Sequence, residues 1–252
     1  MASSSSLGGI FDRKINVGAV LKANDITLDV QRHLTNVYAA LAGTVLACAL
    51  GAAVDLWLHV GGHLTVVGGL GVMMWLRADQ DRSNYVKRSG ILLLFGLLQG
   101  FSLGPLIDLV LRVDPSILVT SLLATTTVFV CFAGAALFSK RRSYLYLGGA
   151  LSSGLIVVLA GSLLNKFLRN DFLLSVQLYT GLFFFCGYVI FDTQLIVEKA
   201  SLGDRDFAWH AMELFIDFVG IFVRICSILL RNKEDSSGSG SKGGRTGRTS
   251  RR

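Results

Sequence analysis

Long apolar runs separated by short polar segments dominate the pattern along the chain. Each run is close to the ~20 residues that a helix needs to cross a bilayer, except the second, which is shorter. The pattern predicts an all-α integral membrane protein, a bundle of seven helices whose last helix either spans the membrane or re-enters it. The predicted spans are 34–58, 63–76, 91–111, 116–138, 144–164, 173–197 and 207–230.

Polar segments at the two ends complete the predicted organisation. Residues 1–33 are interpreted as a cytosolic arm, 34–230 as the transmembrane domain, and 231–252 as a disordered basic tail rich in Ser, Gly and Arg. Four Lys and Arg residues lie in the arm, none between the first two runs and four between the next two, which predicts a cytosolic N-terminus. The tail holds seven more, and if the last segment spans, they lie on the far side. The sequence therefore leaves the side of the tail open.

Composition agrees with a membrane location. Hydrophobic residues make up 52% of the chain and charged residues only 16%, whereas soluble domains average about 25% charged residues. The net charge of +7 comes largely from loops and tail, which favours lipid headgroups over nucleic acid as the partner. All four cysteines lie inside apolar runs without a CxxC motif, so they are interpreted as small buried hydrophobic residues.

Two aspartates stand inside the last two apolar runs, Asp192 and Asp217. A carboxylate at membrane depth costs about 2.5–3.5 kcal/mol on insertion scales, and such residues usually have a function. The alternative is a structural one, in which each aspartate caps a loop or pairs with an arginine. Asp55 and Asp108 lie near the exoplasmic ends of their runs and are interpreted as interfacial groups.

Other polar residues fall on the same helical faces as these aspartates. Because two helices joined by a short hinge pack as antiparallel neighbours, the two polar stripes are expected to face each other or a common cavity. The stripe of the last segment comprises His210, Glu213, Asp217, Gly220 and Arg224, and that of the preceding segment Gln177, Gly181, Tyr188 and Asp192.

In that arrangement Asp192 and Asp217 lie within a few ångströms of each other. Two carboxylates this close do not ionise independently and titrate as a coupled pair. Three uses remain open: a proton sensor, an oxygen-ligand cation site, or a catalytic dyad. The dyad is disfavoured because intramembrane aspartyl proteases carry YD and GxGD motifs, whereas here Phe191 and Ile216 precede the aspartates. We therefore predict that the chain is not an enzyme.

Two further features concern gating. Arg77 ends the second run on the cytosolic side, at the depth expected for Asp192, so it is either a latch for that carboxylate or a flanking positive charge. In the third run, Gly100, Gly104 and Pro105 interrupt the helical pattern, because proline removes a backbone hydrogen bond. This interruption is either a gating hinge or a packing kink.

The run GLLQGFSLGPL and the segment FDTQLIVEKASLGDRDFAWHAMELFIDF resemble the transmembrane Bax inhibitor motif family, and so does PSILVTSLLATTTVFVCFAGAALFSKRRSYLYLGG. The resemblance covers about residues 30–232. It implies a seven-helix fold with the C-terminal helix near the centre, in an endoplasmic reticulum protein that suppresses cell death. In the family, the aspartates that match Asp192 and Asp217 form a pH-sensitive pair controlling a calcium leak.

Two further features were compared with the family. Trp75-Leu76-Arg77 is similar to the end of the second span in bacterial members, which carries an arginine. The Ser/Gly/Arg-rich tail differs from the lysine-rich tail of animal members, which suggests a plant form and makes any particular tail partner an open question.

Two functional hypotheses follow. In the first, the chain is a pH-gated calcium leak channel of the endoplasmic reticulum, with calcium as the permeant ion, transiently held by Asp192 and Asp217, and no cofactor. In the second, the chain is a non-transporting scaffold that regulates cell death and stress through other cell-death membrane proteins, or through calmodulin bound to the basic tail.

Overall fold

The computed structural model describes residues 27–79, 81–82, 84–139 and 144–242, with side chains described as far as residue 236. Within these ranges the chain forms seven helices and no strand, so the prediction of an all-α fold is confirmed. The helices are α1 (Leu28–Leu58), α2 (His63–Ala78), α3 (Tyr85–Val113), α4 (Pro115–Phe138), α5 (Leu147–Leu168), α6 (Asp171–Ser201) and α7 (Phe207–Lys242).

Five of the helices, α1, α3, α4, α5 and α6, are long and apolar enough to cross a membrane. They expose large apolar side chains on the outside of the bundle, including Phe167, Phe183 and Leu123. Such a surface is unfavourable in water but stable in contact with lipid hydrocarbon, which is equally apolar. The prediction of a multi-pass membrane protein is therefore confirmed.

Helix α7 is the centre of the bundle. It packs against α1, α3, α4 and α6, and every residue from Phe207 to Arg231 is buried or half-buried. Helices α2 and α5 lie outside this group, packed on α3 and α6 respectively. The polar residues that make α7 a poor lipid-facing helix are thus enclosed by protein, where partners are available.

Helix starts follow local capping chemistry. The side chains of Asn84, Asp114, Asn170 and Asp206 accept hydrogen bonds from backbone N–H groups in the first turns of α3, α4, α6 and α7. Pro115 follows Asp114 at the first position of α4, where its missing N–H costs nothing. These Asn and Asp residues satisfy backbone donors that a helix leaves unpaired.

Two predicted boundaries differ from the structure. Helix α1 begins at Leu28, so the last residues assigned to the arm are continuous with the first span, while residues 1–26 lie outside the described residues. Helix α7 continues to Lys242, so residues 231–242 of the predicted tail are helical, and residues 243–252 are outside the described part. Lys233 holds this extension to the bundle through an ion pair with Asp114 at 2.9 Å.

The course of α7 decides between spanning and re-entering. At one end of the bundle, here called the hinge end, Arg205 lies before α7 and contacts Asp29 of α1 at 3.3 Å. At the opposite end, here called the far end, Lys233 meets Asp114 between α3 and α4. Helix α7 therefore crosses the whole bundle, and its C-terminus leaves at the end opposite to the start of α1.

The glycines of the third predicted run are packing positions. Helix α3 is continuous through Pro105 and lies against α1 along its length. A side chain added at Gly100 would collide with the carbonyl oxygen of Cys48, and one at Gly104 with the carboxylate of Asp55. Close packing is thus observed, while a gating role for this segment stays a prediction.

The interpretation of Asp55 as an interfacial group is wrong. Its side chain is buried and accepts a hydrogen bond from the backbone N–H of Gly61 in the α1–α2 turn. The turn folds back over the carboxylate. The hydrogen bond from the backbone N–H therefore takes the place of hydrogen bonds from water. Asp108, by contrast, is half exposed and forms an ion pair with Arg112 one turn later.

Candidate functional site

The antiparallel helices α6 and α7 bring Asp192 and Asp217 into direct contact. Their carboxyl groups are close enough for a side-chain hydrogen bond between them. Asp217 is 4% exposed, and its Oδ2 atom has no hydrogen-bond partner among the described residues. Asp192 is half-buried on the facing side of α6. The two acidic residues therefore lie close together in the interior of the bundle.

A hydrogen bond between these groups has a chemical requirement. Ionised carboxylates only accept hydrogen bonds, so a hydrogen bond between Asp192 and Asp217 needs a proton on one of them. Two ionised carboxylates at this distance in an apolar interior would repel each other with little screening. A singly protonated pair is therefore the arrangement that favours close packing of α6 and α7 at this point.

On the hinge-end side, the pair is covered by a mixed polar contact. Lys199 of α6 lies 3.3 Å from Glu213 of α7, and the indole N–H of Trp209 donates to the same carboxylate at 2.7 Å. Glu213 and Lys199 are also close enough to act electrostatically on Asp192. The predicted stripe residue Glu213 is therefore part of the surroundings of the carboxyl pair.

On the far-end side, the pair is followed by Arg224. Its guanidinium carbon lies 4.2 Å from the ring centroid of Phe185, and the group donates to the carbonyl oxygen of Gly220 at 2.9 Å. Gly181 of α6 leaves the space that the arginine occupies. Because Arg224 is seven residues after Asp217, it lies about 10 Å further along the helix.

His210 differs from the rest of the predicted stripe. Its Nδ1 atom lies 2.9 Å from Nε2 of His33 on α1, and both imidazole rings are buried. Glu213, Asp217 and Arg224 instead face α6. Because four helices surround α7, residues at neighbouring positions of one stripe meet different partners.

Arg77 is not next to Asp192 in the structure. Its guanidinium carbon stacks over the ring of Trp209, 5.2 Å from the centroid, and the side chain is exposed at the end of α2. Asp192 lies nine residues before the end of α6 at Ser201, about 13 Å along the helix axis. The difference in depth explains why the described residues show no Arg77 latch on this carboxylate.

A buried arginine that the sequence interpretation treated only as a loop charge is the centre of the hinge-end contacts. Arg88 of α3 is 1% exposed, and its Nη2 lies 2.7 and 2.6 Å from the two carboxylate oxygens of Asp206. Its Nη1 donates to the backbone carbonyl of Asp79 at 3.1 Å. Asp206 has the spacing of a helix cap before Trp209, but no local signal connects it with a residue 118 positions away.

The carboxyl pair offers limited capacity for metal binding. Within the part of the chain that the structure describes, no group of three or more His, Cys, Asp or Glu side chains is placed to hold a metal ion. Calcium takes six to eight oxygen ligands, so water would have to supply most of them at Asp192 and Asp217. Transient calcium binding at the pair stays a prediction.

Apolar helices around a central helix, with two neighbouring carboxyl groups in the interior, define a multi-pass helical membrane protein with an internal ionisable site. Residues 30–235 match the family described as "Inhibitor of apoptosis-promoting Bax1", and the chain belongs to this family. The family resemblance of the sequence motifs is thereby confirmed.

Relatives from animals and plants cover most of the chain. Bax inhibitor 1 from Bos taurus and that from Homo sapiens are each 44% identical over 229 residues, covering 90% of this chain and 97% of the relative. Bax inhibitor 1 from Arabidopsis thaliana is 44% identical over 207 residues, covering 82% of this chain and 83% of the relative. Equal identities do not favour a plant over an animal origin. The family description names an inhibitor of apoptosis-promoting Bax1, and the relatives are named Bax inhibitor 1.

Proposed function

We propose that this chain inhibits apoptosis from the membrane of the endoplasmic reticulum, and that it does so as a proton-regulated calcium leak with a cytosolic N-terminus. The apoptosis role is supported by the family description and by the names of the relatives. The leak mechanism is carried by one observation, the close approach of the carboxyl groups of Asp192 and Asp217 in the interior of the bundle.

A proton and a cation compete for the same oxygen atoms in this mechanism. With the proton bound, the pair ties α6 to α7 through its hydrogen bond. Without the proton, the two carboxylates of Asp192 and Asp217 repel each other and become oxygen ligands of the kind that calcium prefers. The proton load of the pair thus sets both the separation of the helices and the affinity of the site for a cation.

The surroundings of the pair make it a gate rather than an open path. The Lys199–Glu213 contact closes the hinge-end side, and Arg224 stacked on Phe185 closes the far-end side. The passage of a cation past the pair therefore requires α6 to move relative to α7. Repulsion between the two deprotonated carboxylates, which lie between these two closed sides, supplies a force that separates α6 from α7.

The test is calcium flux into liposomes that contain the purified protein, measured as a function of external and internal pH. Asp217→Asn keeps a hydrogen bond to Asp192 without a titratable proton, so its flux is expected to lose the pH dependence of the unmodified protein. Asp192→Asn is expected to behave in the same way. Asp108→Asn, which changes a half-exposed carboxylate at the far end, is the matched control and should keep the pH response.

An unchanged flux and an unchanged pH profile in both pair variants would exclude the leak mechanism. Localisation is tested separately, by fractionation of cells that express the full chain with a tag. The tagged protein should co-sediment with endoplasmic reticulum markers, and its presence in another membrane would exclude that part of the proposal without affecting the flux result.

The scaffold is the second candidate, and it is favoured by the closed packing on both sides of the pair. It predicts that the two asparagine variants still protect cells from a death stimulus, whatever the liposomes show for calcium flux. Deleting residues 243–252 should then abolish protection without changing the flux result. Loss of the pH response of the flux together with loss of protection in the asparagine variants would favour the leak.

A further inference from the structure

An apolar cavity of about 250 Å³ lies on the face of α7 opposite to the carboxyl pair. Its floor is formed by Phe215 and Phe222 of α7, and one wall by Ile107 of α3. The remaining walls belong to α1 and α4, which both pack against α7 but have little contact with each other. The cavity is thus the gap between two spanning helices, closed at the back by the central helix.

The chemistry of the walls excludes water and headgroups as the occupant. Nearly all of the lining surface is hydrocarbon, whereas a buried water needs two to four polar partners. The volume lies between the ~150 Å³ of an engineered dry cavity that binds benzene and the ~300 Å³ at which drug-sized pockets begin. The space therefore fits a slender apolar group.

The cavity is open on one side. Ala49 and Ala53 on α1 and Leu122 on α4 line the cavity and are exposed. Both helices are long and apolar enough to span a membrane. Ala53 is five residues before the end of α1, so it lies about 8 Å from that helix end, at a depth where lipid chains surround the protein.

We propose that this cavity binds one acyl chain of a bilayer phospholipid, which enters between α1 and α4 from the leaflet at the far end. The small side chains of Ala49, Ala52 and Ala53 leave the opening, and the aromatic rings of α7 form the apolar surface against which the chain packs. The site is separated from the carboxyl pair by α7 itself, so it does not depend on the leak mechanism.

The experiment uses the full chain in nanodiscs that contain a phosphatidylcholine with a photoactivatable diazirine in its sn-2 chain. After irradiation, mass spectrometry of the peptides should find the label concentrated on the cavity-lining segments of α1, α4 and α7. Ala52→Phe and Ala53→Phe fill the interior and the mouth respectively. Each is expected to reduce this label about tenfold, the change produced by about 1.4 kcal/mol of lost binding free energy.

Ala150→Phe, on the exposed surface of α5, is the matched control and should leave the cavity label unchanged. Asp217→Asn should also leave it unchanged, which separates this site from the proposed gate. Monodisperse elution of each variant shows that it folds, and Ala53 is exposed, so at least that substitution does not require repacking of the core. Equal label in filled and unfilled variants, label spread evenly over the outer surface, or cross-links between two copies at α1 would each overturn the proposal.

Discussion

Buried polar side chains in the central helix find their partners on other helices. His210 meets His33 of α1, and Asp217 meets Asp192 of α6. In lipid, these ionisable groups would have no hydrogen-bond partner, which costs free energy. The partner on the neighbouring helix offsets that cost. At the scale of single residues, the interior is thus organised by pairs rather than by isolated charges.

The buried contact of Arg88 with Asp206 is expected to be the most sensitive of the described ion pairs. Arg88→Ala removes the buried partner of Asp206 and leaves only the exposed Arg82, 4.0 Å away; breaking such a buried pair costs about 3–5 kcal/mol. Arg112→Ala, which removes an exposed partner of Asp108, is the control and should have little effect on stability. Denaturant unfolding in detergent micelles measures both, and equal small losses would contradict a dominant role for Arg88.

The carboxylate of Asp114, at the far end, predicts a response to acid. The hydrogen bond from Lys233, followed by those from Ser116, lowers the pKa of Asp114 from 3.8 to about 2. A lowered pKa means that the contact stabilises the fold above the ordinary pKa and that this contribution is lost as the pH falls towards 2. Lys233→Gln is expected to raise the pKa of Asp114 towards its ordinary value.

Carbon-13 NMR titration of labelled aspartates measures this shift in detergent micelles. Lys166→Gln, which changes an exposed lysine of α5, is the control and should leave the Asp114 titration where it is. If Asp114 titrates at the same pH with and without Lys233, the lysine does not anchor the end of α7.

At the scale of helices, the contact between α1 and α3 is set by glycine. Gly96, Gly100 and Gly104 repeat every four residues and bring the backbone of α3 against that of α1. Small residues at this spacing let two helices approach closely, which membrane helices use because lipid is as apolar as leucine. The segment that the sequence predicts to be either a gating hinge or a packing kink is thus a tightly packed surface in the structure.

Gly100→Ala is expected to destabilise the bundle by about 1–3 kcal/mol, because the new methyl group meets the backbone carbonyl of Cys48, which cannot rotate away. Gly90→Ala on the same helix has open space around it and should instead stabilise by about 0.5–1 kcal/mol. Thermal unfolding of the two variants in the same detergent gives the comparison. Similar shifts in both would mean that α1 adapts to the added group.

At the scale of the whole molecule, the path of α7 determines the sidedness of the chain. The helix begins beside Arg88 at the hinge end and is tied to Asp114 at the far end. A helix that re-entered would return to its starting side, and its C-terminal residues would not reach the α3–α4 turn. The central position of α7 is therefore linked to its extension from one end of the bundle to the other.

The N-terminus and the C-terminus are accordingly expected on opposite sides of the membrane. Tags with protease sites at both ends of the full chain, tested in sealed vesicles, measure this directly. Protease outside should remove one tag, and the other should be cut only after detergent is added. Removal of both tags from intact vesicles would show that α7 does not cross the bilayer as it crosses the bundle.

The sequence by itself determined the fold class, the number of helices and the face of α7 that carries polar residues, because hydropathy and helical period are local properties. It also singled out Asp192 and Asp217, since a carboxylate in an apolar run is costly wherever the helix packs. Each motif that resembles the family is a continuous stretch of sequence, so the family could be recognised without knowledge of the fold.

Only the tertiary structure decided which groups meet. The contact of Arg88 with Asp206 spans 118 positions, that of His33 with His210 spans 177, and Arg77 turned to Trp209 rather than to Asp192. The outer helices are apolar over most of their surface, so hydropathy does not distinguish a neighbour helix from lipid. Partner choice, the path of α7 through the bundle and the cavity beside it depend on how side chains of different helices fit together, which no single helix encodes.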